Sequence, residues 1–165
     1  MPDMLVKLYE LPPLEPALAR LQESGVEIRR AMSPERHLVL AWVRERFSDG
    51  WESECATAFG RIPISCFVAV KERELVGFAV YDATFRGWFG PTGVAEAERG
   101  KGIGTGLLLA CLHAMRWEGW QYAIIGGAGP TDYYARTVGA TVIEGSSPGA
   151  YRGMLWKRRE KGREE

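Results

Sequence analysis

Long apolar runs are missing from this chain, and so is any excess of charge. No stretch approaches the roughly 20 apolar residues that span a bilayer, and the N-terminus lacks the charged and apolar regions of a secretory leader. A cytoplasmic protein with no membrane partner is expected. Lys+Arg and Asp+Glu stand at 21 each, so the formal net charge is zero. That removes the electrostatic footprint of a nucleic-acid binder. Cysteine is scarce: Cys55, Cys66 and Cys111 are the three in the chain. Their odd number and scattered spacing exclude a disulfide framework and a metal-binding motif, leaving buried thiols and no expected metal. His37 and His113 are the two histidines. One falls on an early helix and the other far along a later one, so both read as structural or exposed.

Glycine, by contrast, is plentiful, and it is concentrated in Arg99-Gly100-Lys101-Gly102-Ile103-Gly104-Thr105-Gly106, which runs straight into Leu107 to Leu112. Alternating glycines permit left-handed backbone and keep side chains away from main-chain N–H groups. A helix N-terminus follows, with unpaired N–H groups and the positive end of its dipole, so a phosphate or pyrophosphate is the natural guest. Arg99 and Lys101 add cations at the rim. A P-loop is excluded because the lysine precedes the last three glycines, and the dinucleotide fingerprint fails because Leu107 stands at its final glycine position. What fits is [RQ]-x-x-G-x-[GA], filled by Arg99, Gly102 and Gly104. This resembles the pyrophosphate loop of the Gcn5-related N-acetyltransferase family. The resemblance implies acetyl-CoA as co-substrate, held by Arg99, Gly100, Lys101, Gly102, Ile103, Gly104 and Thr105.

A chain of 165 residues, 46% of them hydrophobic, suits one domain with one core. Helices are expected over 14–23, from Ser33-Pro34-Glu35 to about Phe47, over 51–59, after the glycine run to about Gly119, and over 131–138. Gly104, Leu108, Cys111 and Met115 give the glycine-loop helix one buried face. Strands are expected over 4–10, 26–32, 65–71, 74–84, 87–94 and 121–125, with a final pair over 141–144 and 150–156. Residues 1–25 read as an N-terminal extension and 157–165 as a fraying charged tail. This order also resembles the acetyltransferase family. It implies a mixed α/β (α+β) fold: a mostly antiparallel sheet of about seven strands, helices on both faces, and a splayed central strand pair. The splay should lie between 88–94 and 121–125, with pantetheine in the gap. Pro91 and Gly93 weaken regular pairing there, and the backbone around Thr92, Gly93 and Val94 is implied to meet the pantetheine amides.

The segment Asp132-Tyr133-Tyr134-Ala135-Arg136-Thr137-Val138-Gly139-Ala140 is similar to the family's second hallmark, with one extra residue before Gly139 and with Gly127 where the family often has Asn. It implies a general acid at Tyr134, or at Tyr133 in the other register, for the departing thiolate; a backbone N–H near Val94 would face the oxyanion. An ammonium acceptor must lose a proton before it can attack, which makes Glu52, Glu54 and Asp82 the candidate bases. Trp51, Tyr81, Trp88, Tyr151 and Arg152 could line an acceptor groove, and the loop Ser146-Ser147-Pro148-Gly149 could cover it. The expected activity is direct transfer of acetyl from acetyl-CoA to a primary amine of a small molecule or peptide in a ternary complex. A non-catalytic acyl-CoA sensor, or a homodimeric scaffold, is the alternative.

Overall fold

The structure is a computed structural model that describes residues 1–156; the charged tail at 157–165 lies outside it. Seven strands form one sheet: β1 (Met4–Lys7), β2 (Val26–Arg30), β3 (Cys66–Lys71), β4 (Glu74–Tyr81), β5 (Trp88–Val94), β6 (Tyr122–Ile125) and β7 (Thr141–Val142). Their order across the sheet is β2-β3-β4-β5-β6-β1-β7. Every neighbouring pair is antiparallel except β5 and β6, which run parallel. Helices α1 (Glu15–Glu23), α4 (Ile103–Trp117) and α5 (Thr131–Val138) pack on one face, and α2 (Arg36–Arg46) and α3 (Asp49–Phe59) on the other. This is the expected mixed architecture with helices on both faces.

Local chemistry explains where the elements begin and stop. The Ser48 hydroxyl accepts the Trp51 N–H at 3.1 Å, so α3 starts at Asp49, two residues before its expected start. Ser33-Pro34-Glu35 forms a 3-10 turn rather than the first turn of α2. The Glu35 carboxylate there accepts the Met32 N–H at 2.8 Å and pairs with Arg29. Glu72 and Arg73 both take positive φ, +50° and +66°, the primed-turn geometry of a two-residue hairpin between β3 and β4.

Three expectations need correction. β1 stops at Lys7, with Leu8–Glu10 coiling into a 3-10 turn. Helix α4 is buried on nearly every side rather than along one face, because α1 and the sheet enclose it. Its Gly106 is a packing residue: a Cβ there would meet Ile28 Cδ1 at 2.5 Å and Leu21 Cδ1 at 2.6 Å. Among the described residues the final strand pair does not form: Thr141–Val142 joins the sheet, and Gly149–Tyr151 forms a 3-10 turn. Ser146 diverts the chain by accepting the Asp3 N–H at 2.8 Å and donating to the Ile143 carbonyl at 2.6 Å.

The splay between β5 and β6 decides where a ligand can sit. Their parallel pairing consists of Trp88 with Ile124 and Phe89 with Ile125, and then stops. Gly90 takes φ +111° and Pro91 offers no N–H, so β5 leaves both neighbours briefly before it rejoins β4 at Thr92. The result is a V with its apex at Phe89 and Ile125.

Candidate active site

One arm of the V is the free edge of β5. The Ala95 N–H donates to the Val76 carbonyl at 2.8 Å. Antiparallel alternation then turns Gly93 toward Phe78 and leaves the main-chain N–H and C=O of Thr92 and Val94 facing the gap. The Thr92 hydroxyl anchors this edge by donating to the Phe78 carbonyl at 3.1 Å. Arg99 folds back, its Nε donating to the Val94 carbonyl at 3.2 Å.

At the mouth of the V stands the N-terminus of α4. Gly100 and Gly102 take φ +77° and +87°, so both are required by backbone conformation. No side chain caps the helix at Gly102, which leaves its first N–H groups open. A Cβ at Gly104 would meet nothing nearer than Val94 Cγ2 at 3.8 Å, so the space in front of the turn is free. Lys101 is less free than its place at the rim suggested. Its Nζ donates to Glu98 at 2.9 Å, and Lys71 reaches the same carboxylate at 3.1 Å. The two ammonium groups, Lys101 foremost, hold the Glu98 carboxyl below the usual carboxylate range. A cavity of about 280 Å³ adjoins this turn, lined by Ala17, Arg20, Leu21, Lys101, Gly102 and Thr105. The donor set suits a pyrophosphate: open amides, positive helix end and adjacent cations.

On the α2/α3 face, aromatic rings flank the same V. Phe47 lies on Gly93, where a Cβ would be 2.3 Å from its Cζ, and Phe47 stacks on Trp51 with centroids 4.8 Å apart. At the apex, the Trp88 ring and the Tyr151 hydroxyl cover Gly126; a Cβ there would meet them at 2.4 and 2.8 Å. Trp88 meets Tyr151 and Phe85 edge to face, at 5.8 and 4.9 Å. Glu54, one turn into α3, accepts the Thr84 hydroxyl, and burial lifts its carboxyl above the usual range. Burial first, then the charges of Glu54 and Asp3, lift the Tyr151 phenol.

The other proposed bases sit elsewhere. Glu52 lines a shallow groove of about 550 Å³ on the outer side of α2, beside Arg44 at 3.7 Å. Asp82 is buried, and its carboxylate accepts the Gly87 N–H at 2.6 Å, with Arg61 and Trp120 at 3.4 Å. Those bonds hold the β4–β5 turn. Tyr81 is likewise a core residue, accepting from Arg30 at 2.8 Å and donating to Glu118 at 3.0 Å, and so does not line a groove. His113 bonds the Pro12 carbonyl at 2.7 Å, and all three cysteines are buried thiols that burial pushes up, unsuited to act as nucleophiles.

The two tyrosines of α5 have different partners. The Tyr133 hydroxyl is bound to Thr105 at 2.8 Å, which pins α5 to the first turn of α4. Tyr134 is buried against Tyr133, ring centroids 5.2 Å apart, and its hydroxyl makes no hydrogen bond among the described residues. Burial, with a smaller contribution from Tyr133, pushes its phenol up to about 12. Asp3, Phe47 and Phe85 carry no motif in the sequence that marks them as site residues. Asp3 is buried and accepts the Gly127 N–H at 2.8 Å, a contact across the whole chain that no local pattern announces.

The sequence profile described as the Acetyltransferase (GNAT) family matches residues 36–132. No curated protein matches the chain. Among solved structures, a GCN5-related glucosamine N-acetyltransferase region of a fungal multi-domain GH3 beta-N-acetylglucosaminidase superposes with TM-score 0.70 at 16% identity, over 86% of this chain and 19% of that one. A GCN5-related N-acetyltransferase from Sphaerobacter thermophilus gives 0.61 at 20% identity, over 86% and 48%. This chain thus spans about a fifth of the first and about half of the second. A GNAT family acetyltransferase from Brucella melitensis, solved with acetyl-CoA, gives 0.50 at 22% identity over 72% and 86%. At these identities the likeness is one of fold, and the profile match across more than half of the chain adds the family. The chain belongs to the GNAT family of acetyltransferases.

Proposed function

We propose that the protein is an acetyl-CoA-dependent N-acetyltransferase that moves acetyl directly to a primary amine, with residues 1–165 working as one unit. The observation that carries this is the V itself, with the open edge of Thr92 to Val94 leading from an uncapped glycine-loop helix to an aromatic-walled face. The amides of Gly102 to Thr105 take the pyrophosphate, with Arg99 and Lys101 at its rim, and the free edge of Thr92 and Val94 pairs with the pantetheine amides. Acetyl-CoA supplies the activated thioester. The Thr92 N–H, on the same open edge and farther from the glycine loop than Val94, serves as the oxyanion donor, because the pantetheine arm lies between the pyrophosphate at the loop and the thioester.

Tyr134 is the proposed donor to the departing sulfur. Its phenol, at about 12, lies well above a thiol of about 8.5. Full proton transfer to thiolate is therefore uphill, and the hydroxyl acts by hydrogen bonding as the C–S bond lengthens. The sensor reading has one observation in its favour: Gly127 stands at the Asn position of the family hallmark, and its N–H is already taken by Asp3. Acceptor-dependent release of CoA separates the two. An enzyme releases CoA with an amine and loses most of that rate in Tyr134→Phe; a sensor binds CoA and shows no such release.

A further inference from the structure

The cavity beside the glycine turn carries a cation that the fold itself leaves unused. Its about 280 Å³ are walled on one side by Lys101, Gly102 and Thr105 at the start of α4, and on the other by Ala17, Arg20 and Leu21 of α1; no carboxylate lines it. Leu21 is buried, and its Cδ1 lies so near Gly106 that a Cβ there would meet it at 2.6 Å, which fixes the spacing of the two walls. Arg20, the next residue along α1, is exposed and makes no hydrogen bond or ion pair among the described residues. Its neighbours at the loop are engaged: Lys101 and Lys71 share the Glu98 carboxylate, leaving that trio one net positive charge, and Arg99 donates to the Val94 carbonyl. Helix α1 also precedes residues 36–132, the stretch matched by the family profile, so this wall belongs to the chain's own N-terminal segment.

We propose that Arg20 is a specificity residue for the co-substrate, its guanidinium taking the 3′-phosphate of coenzyme A in this cavity while the pyrophosphate lies on the amides of Gly102 to Thr105. This rests on the acetyltransferase reading and adds to it how the chain tells coenzyme A from a carrier that lacks that phosphate. A pyrophosphate on the loop has two ends to place. The pantetheine end leaves along the open edge of Thr92 to Val94, on the side of α4 where Gly104 faces Val94. Gly102 and Thr105, three positions apart, share another side of the helix and line the cavity, so the adenosine end has its room there. A phosphate monoester carries close to two negative charges at neutral pH, and its oxygens match the fork of a free guanidinium better than a point charge already shared with Glu98. No bond is made or broken at this position; the contribution is to binding.

The test is a calorimetric comparison of two probes that differ by that phosphate alone, acetyl-CoA and acetyl-3′-dephospho-CoA. The unmodified protein should bind acetyl-CoA about tenfold more tightly, the equivalent of one charge-assisted pair. Arg20→Ala should weaken acetyl-CoA by about the same factor and leave the dephospho probe within about twofold, so that the preference disappears. Equal affinity of the unmodified protein for the two probes overturns the proposal. So does an Arg20→Ala variant that weakens both probes alike, or neither. Binding of neither probe by the unmodified protein would instead overturn the acetyltransferase reading. Arg20 is exposed and bonded to nothing, so the variant should melt within about 1 °C of its parent, and the comparison of the two probes on the unmodified protein needs no variant.

Discussion

Gly102 and Gly104 look alike in the sequence and differ in the structure. At φ +87°, Gly102 cannot be replaced without strain, and Gly102→Ala should cost roughly 1–2 kcal/mol, read as a drop of several degrees in Tm. Gly104 has room in front of it. In Gly104→Asp the new carboxylate sits in the first turn of α4, where it favours the helix by roughly 0.3–1 kcal/mol, so Tm should hold or rise. It also puts a negative charge where the pyrophosphate would bind, and acetyl-CoA affinity should fall by about 100-fold or more. Loss of affinity without loss of stability is the signature of a binding residue. Tyr134→Phe makes a parallel case: its hydroxyl has no partner to lose, so Tm should stay within about 1 °C while kcat falls roughly 100-fold. Because the phenol stays protonated far above neutrality, that loss should be the same at pH 6 and pH 9. A deficit that grows across this range would remove Tyr134 from the donor role.

At the scale of elements, close approach dominates. Gly93 lets the Phe47 ring lie on β5, and Gly93→Ala should cost about 1–3 kcal/mol in thermal unfolding through overpacking against that ring. An unchanged Tm would mean that Phe47 can swing away, and that the aromatic wall is less fixed than described. What was legible in advance follows the same division. The 72–73 hairpin, the glycine-loop helix and the weak pairing around Pro91 each have a local cause, and each stands where it was expected. The final strand pair did not, because its fate is set by Ser146 binding Asp3, a partner 143 positions away. The carboxylates divide likewise. Glu52, Glu54 and Asp82 are equivalent as residue types, and only the packing of α3 and the β4–β5 turn places Glu54 on the Thr84 hydroxyl, Glu52 on the outer groove and Asp82 under Gly87.

For the whole molecule, two glutamates respond to pH in opposite senses. Arg29 holds the Glu35 carboxyl low, so that pair's stabilisation is full above the ordinary value of about 4.3 and is lost as pH falls through the depressed folded value. Burial holds Glu54 high. Its contribution is favourable below about 4.3 and is lost as pH rises through the raised folded value, so the ionised carboxylate weighs against stability at neutral pH. Glu54→Gln should therefore gain in Tm over the unmodified protein at pH 7.5 relative to pH 4. A variant less stable at pH 7.5 than at pH 4, relative to the parent, would contradict the burial of that carboxylate. Everything proposed above turns on the glycine run and the open V receiving acetyl-CoA. The decisive experiment is isothermal calorimetry of the unmodified protein and Gly104→Asp with acetyl-CoA, with ATP and NAD as controls. Acetyl-CoA alone should bind saturably, and binding should be lost in a Gly104→Asp protein that melts no lower than its parent. Absence of binding to the unmodified protein, or equal binding by the folded variant, would contradict it.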